Sequence, residues 1–299
     1  MRFERLAEFE FEDAIKRSGG LCVMVLGCIE KHGQHLPVGT DSLKGDKIAE
    51  IATDIADVCL FPTTMWLGNV SGTHQITNTN GLHGFIGISP MTLVTVLEEL
   101  CDEIARNGFN KILLLNSHGG NKATLDFFMS QQAYKNKQYA TMWTGAYDFA
   151  NLQAGDVLAA AKADPEGFSM LTEEDYRTLE KFAETGMGGG HGDFRETALV
   201  YGTYPELVKP EMFDAESGLS NDMAKHLTDA GLAPYPFWDK EHPNSFDGFA
   251  PIGCTKTIGD AMLKMSVDRL VGILNLVKND DVCVEMVKSG MFLSDANRK

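Results

Sequence analysis

Two short stretches of this 299-residue chain carry residue types that hold divalent metal ions. The first is Glu30-Lys31-His32-Gly33-Gln34-His35-Leu36-Pro37-Val38-Gly39-Thr40-Asp41, with a carboxylate and an imidazole two positions apart and a second carboxylate beyond them. With Glu30 to His32 extended, period-two geometry aims Glu30 and His32 to one side, and turns at Gly33 and from Pro37 to Gly39 return Asp41 to them. The second stretch, Ser117-His118-Gly119-Gly120-Asn121, adds another imidazole. Carboxylates mixed with imidazoles suit zinc, manganese or iron(II) better than calcium or a thiolate-seeking ion. Either stretch alone reads as solvated loop; their shared placement in the fold raises them above that.

Each stretch follows an apolar run. Residues 21–26 (LCVMVL) and 112–115 (ILLL) are short and nearly free of polar groups, as strands buried on both faces are. In open parallel sheets, ligands bind outside the carboxyl ends of the strands, where both stretches stand. Further strands are predicted at 60–66 and 139–144, and helices at 2–18, 43–58, 90–107, 123–134 and 258–277. Strands alternating with helices on short connections predict a single α/β domain, a mostly parallel sheet flanked by helices. Past Gly145 the pattern weakens, and residues 147–190 and 210–250 read as insertions laid over the sheet.

Composition narrows the classes further. Asp and Glu outnumber Lys and Arg by 42 to 26, a formal charge of −16, which repels nucleic acid and anionic membrane alike. The cysteines at 22, 28, 59, 101, 254 and 283 form no CxxC pair, so neither a zinc knuckle nor a redox motif is expected. No apolar run approaches a membrane span, and the charged opening decapeptide lacks a signal-peptide core. The expectation is a reduced, soluble, cytoplasmic protein.

The stretch from Glu30 to Asp41 resembles the signature of the creatininase (creatinine amidohydrolase) family, and Asn116 to Asn121 (NSHGGN) resembles that family's second motif. His191-Gly192-Asp193-Phe194-Arg195-Glu196-Thr197 is similar to its later His-to-Glu-Thr block, and Pro251-Ile252-Gly253 with Gly259-Asp260 to its glycine element. The resemblance implies a metal-dependent hydrolase, commonly with two ions (zinc, manganese or iron), in a compact α/β fold that often forms a homohexamer. It places Glu30 and His118 on one ion, His32 and Glu196 on the other, Asp41 between them, and His191 as proton shuttle. The implied reaction is attack of activated water on the carbonyl of a small cyclic amide. The backbone N–H groups of Gly119 and Gly120 are candidates for stabilising the oxyanion.

This chain departs from creatininases proper in two places. Gly120 stands where they carry a metal-binding glutamate, and Gly190 where a glutamate precedes the shuttle histidine; nor does Trp143 occupy an evident equivalent of their substrate-gating tryptophan. Formamide hydrolysis and opening of an oxidised inositol ring at a carbon–carbon bond are therefore alternatives, and a binding subunit that lost its chemistry is the non-enzyme rival. Among the remaining candidates, His35 is expected to orient the first loop or His32. His74 and His83 read as ordinary loop residues, His226 and His242 as surface, and Cys28 as a small buried hydrophobe.

Overall fold

Strand β1 (Leu21–Leu26) is buried on both faces along its whole length, and the groups suited to chemistry gather at its carboxyl end. The computed structural model describes residues 1–70, 83–135, 137–145, 152–188, 190–232 and 238–289. In chain order the elements are α1 (Phe11–Arg17), β1, α2 (Thr40–Ala56), β2 (Cys59–Leu60), α3 (Pro90–Arg106), β3 (Lys111–Asn116), α4 (Lys122–Gln132) and β4 (Ala140–Thr144). They continue with α5 (Ala154–Ala163), α6 (Glu173–Thr185), α7 (Phe194–Thr203), α8 (Lys225–Asp229), α9 (Trp238–Glu241), α10 (Lys256–Asn279) and α11 (Val282–Ser289).

The four strands pair in parallel in the order β2-β1-β3-β4. Alternate side chains of β1 enter separate cores: Leu21, Val23 and Val25 pack with Ile48 of α2, Phe182 of α6, Phe194 of α7 and Leu270 of α10. Cys22, Met24 and Leu26 pack with Leu97 of α3 and Phe128 of α4. A strand covered on both faces needs no polar residue, which is why this one is an unbroken apolar run. From β1 the chain runs outward to β2, then returns to start β3 on the other side of β1. The gap between the ends of β1 and β3 is thus a topological switch point, where diverging loops leave room for a ligand.

Two predicted elements are shorter than their sequence patterns. The opening segment is α-helical only from Phe11, with 3-10 turns at Phe3–Arg5 and Glu8–Glu10 before it, and Arg2 is drawn along the sheet edge, bridged to Leu60 and bidentate to Asp46 at 3.0 Å. The strand predicted at 60–66 ends at Leu60, although the N–H of Phe61 still reaches the Val23 carbonyl at 2.8 Å. Part of each suspected insertion, 147–151 and 233–237, lies outside the described residues. The described part of the first holds α5 and α6, and that of the second short helical turns that meet the His191 loop through the bridge His191↔Asp247. No described helix is long and apolar enough to cross a membrane.

Candidate metal centre

The centre is built by helix α2 pressing onto the end of β1. A Cβ on Gly27 would stand 2.3 Å from Ser42 Oγ and 2.6 Å from Ser42 N, so only glycine lets the first turn of α2 approach so closely. Asp41, in that turn, thereby meets the loop carrying Cys28, Glu30 and His32. On the neighbouring strand, Asn121 accepts from the Asn69 N–H (2.7 Å) and donates to the Gly27 carbonyl (3.2 Å), tying the His118 loop to both. The fourth piece of chain arrives with α7: Asp193 caps it by accepting from the N–H groups of Arg195 and Glu196, which sets Glu196 in its first turn.

Asp41 faces two ways. Its Oδ2 lies 3.1 Å from His118 Nδ1, which is also 3.1 Å from Glu30 Oε1. Its Oδ1 lies 3.6 Å from His32 Nε2, which is 3.4 Å from Glu196 Oε2. Both imidazoles are fixed from behind: His118 Nε2–H donates to the Asn69 carbonyl at 2.6 Å and His32 Nδ1–H to the Glu30 carbonyl at 3.0 Å, so each turns its other nitrogen inward. Glu30 Oε1 and His32 Nε2 are buried with no hydrogen-bond partner, a costly arrangement unless a cation completes it. Three overlapping groups have ligand atoms within metal-sharing distance: Cys28, Glu30, Asp41 and His118; His32, Asp41 and Glu196; and Glu30, His32 and His191. The donor set and the orphaned atoms fit a divalent ion.

The electrostatics agree with that reading. Burial opposes a charge on His32, but Glu196 and Asp41 outweigh it and lift its pKa to about 9. His118 is likewise raised well above the ordinary range, with Glu30 overcoming burial. In the absence of metal, protons thus stand in for cations. His191 goes the other way, lowered by burial and by the neighbouring His32. Its ring stacks on that of His32 at 4.1 Å, its Nε2–H donates to the Lys31 carbonyl at 2.8 Å, and its Nδ1 faces Glu30 Oε1 at 3.5 Å.

Every residue the sequence singled out for chemistry on the first motif, His118, His191 and Glu196 therefore falls in one cluster. Gly119 and Gly120 are exposed beside it, and a Cβ on Gly120 would come 2.4 Å from His118 Nε2, so a glutamate there is incompatible with this placement of the imidazole. His35 stays outside the cluster, bonded to the Gly192 carbonyl and to Thr197 Oγ1. His83 and His226 are exposed, and His74 lies outside the described residues.

Some functional candidates escaped the sequence reading. Cys28 is buried as expected, but its thiol also donates to Asp41 Oδ2 at 3.1 Å; burial and Glu30 push its pKa well up, so it acts as a neutral donor. His242 is buried, not surface, and its Nε2 pairs with Asp247 Oδ1 at 3.4 Å. Trp238 stacks on His242 at 5.1 Å and sets its ring edge against His191 at 4.8 Å, an aromatic wall that no local signal announced. Lys44, read only as part of an amphipathic helix, is fully buried, with Nζ 2.8 Å from both Asp41 Oδ1 and Glu196 Oε1 and 3.0 Å from the Ser117 carbonyl. Its spacing of three from Asp41 places both on one face of α2, but the helix predicted at 43–58 begins past Asp41.

The family model described as creatinine amidohydrolase (Creatininase) matches residues 4–274. A creatinine amidohydrolase of Pseudomonas putida is 22% identical over 198 residues, 64% of this chain and 68% of that protein. A 2-amino-5-formylamino-6-ribosylaminopyrimidin-4(3H)-one 5'-monophosphate deformylase of Methanococcus maripaludis is 30% identical over 119 residues, 39% of this chain and 48% of its own length. A crystal structure of creatinine amidohydrolase superposes with a TM-score of 0.66 at 18% identity, over 93% of this chain and 98% of that one, a likeness of fold. Other superposing creatininase structures are a manganese form and a Zn–Zn form. With the family model covering all but the ends of the chain and the motifs standing at one switch point, this protein is a member of the creatininase family.

Proposed function

We propose that this chain is a divalent-metal-dependent hydrolase that cleaves a C–N bond of a small, cyclic amide. One observation carries the reading: Asp41 turns one carboxylate oxygen to Glu30 and His118 and the other to His32 and Glu196, around Glu30 Oε1 and His32 Nε2, buried atoms without a hydrogen-bond partner among the described residues. Glu30, Asp41 and His118 would hold one zinc, manganese or iron ion, and His32, Asp41 and Glu196 outline a second position. An ion held there supplies a Lewis acid and lowers the pKa of water.

The remaining work falls to the chain's own residues. With its Nε2–H committed to the Lys31 carbonyl, His191 presents Nδ1 to the cluster as the proton-accepting atom, and it returns that proton to the departing nitrogen. Trp238 backs the His191 ring at 4.8 Å and would help to hold its orientation. The N–H groups of Gly119 and Gly120, exposed and next to His118 in the chain, would meet a developing oxyanion.

Formamide hydrolysis is the second reading, favoured by the similarity to the deformylase. The test is to strip the purified chain with a chelator, reload it with Mn²⁺ or Zn²⁺, and assay cyclic amides, formamides and cyclic ketones. Amide turnover lost on chelation and restored by the ion is the expected result. Turnover of formamides alone would move the assignment to the second reading, and turnover of cyclic ketones alone to carbon–carbon cleavage. A metal-replete chain inert toward all of them would reject the hydrolase reading.

A further inference from the structure

We infer that Lys44 takes the place of one of the two cations, so that the centre holds a single divalent ion tightly, between Glu30, Asp41 and His118. The inference rests on the hydrolase reading above and specifies its metal centre.

Lys44 and Asp41 lie one turn apart on α2, so both side chains point at the same end of the sheet. The Lys44 ammonium donates to Asp41 Oδ1 and lies equally close to Glu196 Oε1, both at 2.8 Å, and its third proton reaches the Ser117 carbonyl at 3.0 Å. Two of the three residues that outline the second position, Asp41 and Glu196, are therefore already engaged by a cation of the chain's own. The oxygen at issue is Asp41 Oδ1, the one turned toward His32. On the other side, Oδ2 meets His118, whose imidazole can give up its proton to an ion, and the thiol of Cys28.

The charge balance points the same way. Glu30, Asp41 and Glu196 contribute three negative charges and Lys44 one positive, so one divalent ion leaves the cluster neutral. A second would leave two positive charges in a centre where Lys44, Asp41 and Glu196 are all nearly or fully inaccessible to water. Uncompensated charge in such a place is strongly disfavoured. The lysine also repels the incoming ion directly, across the few ångströms that separate adjacent ligands of one site.

The experiment is a metal count on the full-length chain, using Mn²⁺ as probe, with inductively coupled plasma mass spectrometry and electron paramagnetic resonance. Wild type is expected to retain one Mn²⁺ per chain with the six-line spectrum of an isolated ion. Lys44→Met, which removes the charge and keeps the bulk, is expected to retain two, with the broadened spectrum of a coupled pair. Two tightly held ions in wild type, or one in both proteins, would overturn the inference and leave the hydrolase reading standing. No ion in either would overturn both. If Lys44→Met does not fold, calorimetric titration of wild type decides: a second Mn²⁺ at least ~100-fold weaker than the first supports the inference, and two of similar affinity overturn it.

Discussion

The imidazole of His35 donates from Nε2 to the carbonyl of Gly192 at 2.9 Å, joining the first metal-type motif to the loop that carries His191 and Glu196. Burial keeps the ring neutral, holding the His35 pKa down to about 4 against the pull of that bond, while Phe213 and Phe246 meet the ring edge-on at 5.6 and 5.4 Å.

Stability should therefore fall in mild acid. With a folded pKa of about 4 against 6.5 for the exposed group, the unfolded chain binds the proton first. The contribution is complete above pH 6.5, is lost as pH falls, and is gone near pH 4, a change of about 3 kcal/mol. Denaturant melts between these limits should show the slope in wild type and a flatter one in His35→Gln. Equal slopes would remove His35 as the source.

Asp41→Asn should strip the centre of metal. An amide keeps the shape but removes the charge that faces His118, His32 and Lys44 at once, and unpairing buried charge costs about 3–5 kcal/mol, ~100-fold or more in affinity. Metal content after dialysis measures this. Unchanged content would exclude Asp41 as a ligand.

His191→Ala should keep its metal and its fold yet lose a factor of ~10²–10⁴ in kcat, the usual share of a proton-transferring side chain. Since His191 also shares a candidate ligand group with Glu30 and His32, the metal count must accompany the kinetics. Loss of the ion in this variant would make His191 a ligand instead of a shuttle.

Metal uptake should release protons. His118, raised by Glu30 and Asp41 against the effect of burial, is protonated at neutral pH in the metal-free chain and must shed that proton to coordinate. Affinity then weakens about tenfold for each pH unit below that raised value, per proton released. Calorimetry in buffers of different ionisation enthalpy reads the number of protons directly, and a heat independent of buffer would contradict the assignment.

Much of this architecture was legible because polar residues in an apolar frame declare themselves. Glu30, His32 and His118 each follow an apolar run, 21–26 or 112–115, so their types stood out against it. Glu196 and His191 carried no such local contrast and were placed by family likeness. Lys44 and Trp238 were legible by neither route. A lysine three residues from an aspartate on an amphipathic helix describes a surface ion pair as well as a buried one, and only the packing of α2 against β1 decides between them. Trp238 meets His191 through chain segments far apart in sequence, a relation no spacing rule contains.

The edge-on contact of Trp238 with His191 gives the protein a built-in optical probe. Of the three indoles, Trp66 is half exposed and Trp143 lies beneath the Lys122 ammonium, whereas Trp238 rests between two imidazoles. Indole emission is quenched by a protonated imidazole in contact and restored by a neutral one. Each change in the charge of His191 or His242 is thus written into the emission of Trp238, and a Trp238→Phe control isolates that signal. If His191 carries the proton as proposed, that transfer can be followed in the unlabelled chain, by light.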